Sequence, residues 1–155
     1  MSLLTTPLVT PKFTLANRLV FPAMSTSSGG PDGSVTDKTL DFFRERSRGF
    51  GLVVIEHSYV SGWGKAGPQM LSISRDEDIP GLASLAKLLH ENGCAAHIQL
   101  DHGGGWTIPQ LQNTLDPKHN PQGRLITQEI SDEQLLQVVE DFGAAALRAR
   151  EAGFD

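Results

Sequence analysis

Three clusters of chemically capable side chains stand directly behind short apolar runs. Pro22-Ala23-Met24-Ser25-Thr26 follows Leu19-Val20-Phe21, Glu56-His57-Ser58-Tyr59 follows Leu52-Val53-Val54-Ile55, and Gln99 closes Ala95-Ala96-His97-Ile98, with Asp101-His102 just beyond. Ser25 offers a hydroxyl, His57 an imidazole, and Gln99 an amide that both donates and accepts. Met24 is polarizable enough to lie against a planar apolar ligand, although the same property suits packing. A fourth feature, His102-Gly103-Gly104-Gly105-Trp106, has the form of an oxyanion loop, in which glycine-freed N–H groups hold a tetrahedral oxyanion. That chemistry needs a nucleophile elbow of the type G-x-S-x-G, and the sequence has none, so an esterase is the weaker alternative and a sharp loop turn the simpler one. Glu56-His57 has no third ligand at a metal-binding spacing, so no metal site is expected. His97 shares a strand face with Gln99 and reads as a hydrogen-bonded core histidine. Cys94, at the opposite strand end, reads as a buried structural thiol.

Positioning these groups requires alternating strands and helices. Thr36 caps a helix from about Asp37 to Arg48, with Leu40, Phe43 and Ser47 on one face and Gly49 and Gly51 as its stop. The β-branched run Leu52–Ile55 has the character of a strand covered on both faces. A second helix runs from about Ile79 to Asn92, with Leu82, Leu85, Ala86 and Leu89 at helical spacing and Gly93 as its stop. The third opens on a capping box, Ser131 with Gln134, and carries Leu135, Val138, Val139, Phe142, Ala145, Ala146 and Ala149 as its apolar stripe. Pro7 to Leu15 forms a hairpin ahead of the first strand. The order β-α-β-α-β-α implies a parallel sheet with helices outside it. Ser58–Asp78 and Asp101–Gln128 are long loops after strands, where such folds build their sites, and each holds a tryptophan, Trp63 and Trp106.

Composition limits the functional classes. The chain has 155 residues, 39% hydrophobic and 20% charged, with 13 basic against 18 acidic side chains and a net charge of −5. No basic stripe suggests nucleic acid, and no apolar run approaches the ~18 residues of a spanning helix. The N-terminal residues lack a signal-peptide pattern, and a single cysteine excludes an intrachain disulfide; the expectation is a cytoplasmic protein without membrane partners.

Five segments, in order along the whole chain, resemble the old yellow enzyme family of flavin oxidoreductases. They are Leu15-Ala16-Asn17-Arg18-Leu19-Val20-Phe21-Pro22-Ala23-Met24, Asp32-Gly33-Ser34-Val35-Thr36, Arg44 through Glu56, Ile98 through Gly104, and Asp141 through Asp155. The resemblance implies a TIM (β/α)8 barrel with FMN at its C-terminal rim and NAD(P)H as reductant. Hydride would pass from the nicotinamide to the flavin and then to an activated C=C bond of a small unsaturated substrate. It assigns Pro22, Ala23, Met24 and Ser25 to the isoalloxazine, with Ser25 where relatives commonly carry Thr or Cys. His57 falls where a small residue often stands beside the flavin, and Gln99 matches a glutamine on the pyrimidine edge. Two departures stand out: Pro22-Ala23 replaces the usual Ala-Pro or Pro-Pro, and Gly105 occupies the place of the arginine in His-Ala-Gly-Arg.

A barrel of this type needs roughly 250 residues and eight units. About three β/α units follow the hairpin here, so residues 1–155 are expected to form the N-terminal part of an incomplete FMN-binding barrel domain, reaching the start of the fourth strand at Phe154-Asp155. By the same resemblance the substrate-binding His/Asn or His/His pair, the proton-donating tyrosine and the flavin phosphate site lie after Asp155, and no catalytic residue is assigned. The expectation is an ene-reductase as the full-length protein, with this chain alone inactive. The alternatives are a non-catalytic barrel portion completed by a C-terminal partner, and a homo-oligomer.

Overall fold

The computed structural model describes residues 2–107 and 130–155; most of the loop expected over Asp101–Gln128 therefore lies outside the described residues. The hairpin is present: β1 (Leu8–Val9) and β2 (Thr14–Leu15) pair antiparallel with Leu8 opposite Leu15. The Thr10 N–H donates to the Phe13 carbonyl, and the Thr10 hydroxyl bonds the same carbonyl, so one threonine closes the turn.

The main sheet is parallel. β3 (Val20–Phe21), β4 (Leu52–Tyr59), β5 (Leu71–Ser72) and β6 (Ala95–Asp101) all run in one direction, with β4 at the centre. β6 borders β4 along its length, from Leu52 opposite Ala95 to Tyr59 opposite Asp101. β3 pairs only with Leu52 and Val53, and β5 pairs only with Ser58 and Tyr59. Because β6 occupies the other edge, β5 continues the line of β3 along the upper half of β4. The expected loop Ser58–Asp78 therefore contains a strand. Two residues between turns carry too little periodicity to announce it.

Three helices cover one face of this sheet. In α1 (Asp37–Arg46) the Thr36 hydroxyl accepts from the Thr39 N–H, and Thr39 returns the bond to the Thr36 backbone, so a threonine does what Glu or Gln does in the usual capping box. α2 (Ile79–Glu91) buries Leu82, Leu85, Ala86, Leu88 and Leu89. α3 (Asp132–Glu151) starts on the reciprocal Ser131–Gln134 box. The glycines that end them, Gly49, Gly93 and Gly153, all have φ between +82° and +89°, a conformation that L side chains avoid. The core lies between helices and sheet: Phe21, Val53, Ile55 and Ala96 from the strands meet Phe43 and the α2 leucines. Phe21 sits edge-on to Phe42, Phe43 and Phe50. Cys94 is buried at the bottom of β6, its thiol donating to the Ser47 carbonyl at 3.0 Å, and burial pushes its pKa up. That is the structural thiol expected.

Alternation sends Val20, Leu52, Val54, His97 and Gln99 to the opposite face, which is bare: Val20 and Gln99 are exposed and the others half-buried. After α3 the chain returns to the sheet. Phe154 is buried, and the Asp155 N–H donates to the Ala96 carbonyl at 2.9 Å, on the edge of β6 away from β4.

Candidate functional site

The strand ends converge because of an irregularity in β4. Ile55 is opposite Ile98, and the next paired residues are Ser58 and Leu100. Two residues of β4, Glu56 and His57, thus face the single residue Gln99. A bulge of this kind bends the strand and re-aims side chains. It brings the half-buried His57 and the exposed Gln99 to one rung on the bare side of the sheet. Pro22, Ala23, Met24 and Ser25 leave β3 on the other side of β4. Pro22, Met24 and Ser25 are exposed and Ala23 half-buried. The six expected ligand-binding residues therefore occupy the C-terminal ends of three adjacent parallel strands.

The loop from Pro22 to Val35 is held at both ends of its course. Inside, the Glu56 side chain is fully buried, and its carboxylate accepts the Thr26 N–H at 2.6 Å and the Thr26 hydroxyl at 2.5 Å. The Thr26 and Ser28 hydroxyls lie 2.5 Å apart, Ser28 bonds Thr39, and the Ser28 carbonyl accepts from Thr36 and Thr39. Outside, the Tyr59 hydroxyl and the Arg75 guanidinium donate to the Asp32 carbonyl, and Lys65 donates to the Pro31 carbonyl. The Asp32 carboxylate takes the Ser34 hydroxyl and N–H, which hold its pKa below the ordinary value. Gly33 has φ +85°, and a Cβ there would stand 2.5 Å from the Tyr59 hydroxyl oxygen. Only glycine allows that approach.

The glycine-rich turn is not an oxyanion device. The Gly103 N–H donates to the Gly64 carbonyl at 2.8 Å, and the Gly104 N–H donates to Nδ1 of His102 at 3.1 Å. Two of the N–H groups an oxyanion would need are spent. Instead the turn ties the two long loops together: the His102 ring lies edge-on to Trp63 with centroids 4.3 Å apart and presses on Gly64. Because Nδ1 accepts, the proton of a neutral His102 resides on Nε2, which is buried without a partner among the described residues.

Comparison with known proteins decides the family. Residues 4–155 match the model of the NADH:flavin oxidoreductase / NADH oxidase family. The chain belongs to that family. A probable NADH-dependent flavin oxidoreductase of Bacillus subtilis is 33% identical over 147 residues, covering 92% of this chain and 39% of the relative. An NADPH dehydrogenase of the same organism is 34% identical over 155 residues, 97% of this chain and 45% of the relative. An old yellow enzyme from Pichia superposes with a TM-score of 0.85 over 99% of this chain and 44% of its own, at 24% identity. The chain thus spans less than half the length of these relatives. Its fold is the N-terminal part of a TIM barrel of the old yellow enzyme type, and its bare sheet face corresponds to a barrel interior. FMN is the cofactor of this family and NAD(P)H its reductant.

The residues present fit a flavin. Ser25, His57 and Gln99 make no side-chain hydrogen bond to another described residue, whereas the adjoining Glu56, Ser58 and Thr26 are all engaged. Unspent amide, hydroxyl and imidazole groups beside the exposed thioether of Met24 match a heterocycle with one polar edge and an apolar ring. Sequence reasoning missed Glu56, Thr26 and Tyr59 as determinants of the loop. The available signal was a carboxylate in the middle of an apolar strand, which a buried position tolerates only when it is hydrogen-bonded.

Proposed function

We propose that this chain forms one side of the FMN site of an ene-reductase-type oxidoreductase, the remaining barrel strands coming from further chain or from a partner. The observation that carries the reading is the rung at the β4 bulge: His57 and Gln99 lie level with each other, flanked by the exposed Pro22–Ser25 ledge, with their polar groups unspent. FMN bound there would supply hydride chemistry, accepting hydride from NAD(P)H and delivering it to an activated C=C bond. The chain's own residues would bind and orient. Gln99 would both donate to and accept from a pyrimidine-type edge. The Ser25 hydroxyl would reach the ring system from the ledge, Met24 would pack on it, and Pro22 and Ala23 would set the ledge's path without competing side-chain donors. His57, larger than the small residue expected there, would narrow the site and bring a titratable group beside the ring. Substrate protonation is assigned to no residue of this chain.

The test is a nuclear magnetic resonance titration of the protein with FMN. Saturable shifts at the Gln99 side-chain amide, the Met24 methyl and the Ser25 amide are expected, and Gln99→Ala should weaken binding about tenfold, the effect of losing one or two net hydrogen bonds. A folded protein that shows no shift at these groups with millimolar flavin overturns the reading.

A further inference from the structure

We propose that Glu56 is a positioning residue: its buried carboxylate clamps Thr26 and so sets Met24 and Ser25 in place against the flavin. The inference rests on the flavin reading above and adds to it the group that holds the contact surface.

Three independent features meet at this point. The first is the carboxylate itself. Glu56 has no exposed surface, and no Lys or Arg lies against it among the described residues; its bonds are to one threonine, through that residue's N–H and hydroxyl. Taking a carboxylate out of water without a counter-ion is costly, and an apolar side chain would fill the space more cheaply. The arrangement is explained if the bonds themselves have a task.

The second is geometry. The bulge that sets His57 opposite Gln99 also sets Glu56 at that rung. The same two residues therefore link the pyrimidine-edge side of the site to the ledge on the other side of β4. A change of register here would move both together.

The third is backbone strain. Ser27 has φ +49° and is the one described non-glycine residue in the left-handed region. Serine is not a residue that adopts this conformation freely, and an outlier of this kind persists only where the surroundings over-determine it. They do so here from both sides. Thr26 is fastened to Glu56, and Ser28 is fastened to Thr36 and Thr39 at the start of α1. Just before the clamped Thr26 and the forced turn at Ser27, Met24 and Ser25 are left exposed. Without the Glu56 bonds nothing on the β4 side would hold Thr26, and Ser27 could relax to an ordinary conformation, carrying the ledge with it.

The experiment compares wild type with Glu56→Ala, Glu56→Gln and Thr26→Val by amide hydrogen exchange without flavin and by the FMN titration. In wild type the Thr26 amide is expected to be protected. Glu56→Ala should speed its exchange about a hundredfold, as for lost bonds to a charged acceptor, while Val53, Ile55 and Ala96 keep their protection. Glu56→Gln retains an acceptor for the N–H and should lie between the two. Thr26→Val removes only the hydroxyl and keeps the fold within reach if Glu56→Ala does not fold; about a tenfold acceleration is expected. In the titration, Glu56→Ala, or Thr26→Val in its place, should lose the flavin-induced shifts at Ser25 and Met24 while Gln99 still responds. Equal Ser25 and Met24 shifts in the variants and wild type, or unchanged Thr26 exchange, overturn the inference and leave the flavin reading intact. Absence of shifts in wild type overturns the flavin reading and the inference with it, and is recognised by the silence of Gln99 in every protein.

Discussion

The end of α3 shows how one side chain can join distant segments. The Asp155 carboxylate accepts the Ala96 N–H at 2.8 Å and meets Nε2 of His90 at 2.9 Å, linking α2, β6 and the residues after α3. Partial burial raises its pKa, but the Ala96 N–H, the His90 contact and the nearby His97 together prevail, and the net direction is downward. A carboxylate whose folded pKa lies below its unfolded value of about 3.9 stabilises the folded state above that pH, and the contribution fades as pH falls through the folded value. The unfolding free energy of wild type should therefore drop more steeply than that of Asp155→Asn below about pH 4. Chemical denaturation across an acid pH series measures this, and parallel curves would refute it. The half-exposed setting of Asp155 keeps the effect small.

Among the elements, α1 is the one most tightly bound to the site. Its N-cap, Thr36, accepts the Thr39 N–H and also donates its own hydroxyl proton to the Ser28 carbonyl at 2.7 Å. One side chain thus starts the helix and fastens the ledge loop. Thr36→Ala should cost about 1–2 kcal/mol, at the upper end for a cap because two bonds are lost. The midpoint of urea unfolding reads the change; a loss under a few tenths of a kcal/mol would mean that neither bond counts. Helix α3 behaves differently. Its cap formed as its sequence implies, yet its apolar stripe is only partly used. Ala145 is buried and Phe142 and Ala149 pack on the core, whereas Leu135 and Val139 are 52% and 63% exposed. The stripe is wider than the surface the described elements offer it.

The whole molecule exposes apolar surface in two places, the outer side of α3 and the bare sheet face. Leu135, Leu136, Val139 and Leu147 are exposed on the helix, and Val20 and Met24 on the sheet and its ledge. Exposed apolar side chains spaced along one helix favour association. Replacing Leu136 and Val139 together with lysine should lower self-association in sedimentation velocity while changing stability by about 0.5 kcal/mol per site or less, since neither side chain is buried. An equal association constant for the two proteins would show that the exposed side of α3 is not the contact. The same openness is what a barrel wall shows when seen apart from its neighbours, in keeping with relatives more than twice as long.

Much of this was readable from residues alone. Caps at Thr36 and Ser131, glycine stops, and unbroken β-branched runs are local signals, each decided by the conformational preferences of a few neighbouring residues, so they located the three helices among the described residues and the principal strands. The six positions proposed for flavin contact stand behind those strands, and their roles came from the family resemblance. Three things needed the folded chain. The bulge at Glu56-His57 is a property of pairing between β4 and β6, and neither strand contains it by itself. The short β5 exists only because β4 outruns β3 and leaves backbone groups to pair. The buried bond from Glu56 to Thr26 spans 30 residues, and its chemistry depends on removal from water. Local preferences act over a few residues and can be read along the chain; register and burial arise between segments that meet only in the tertiary structure.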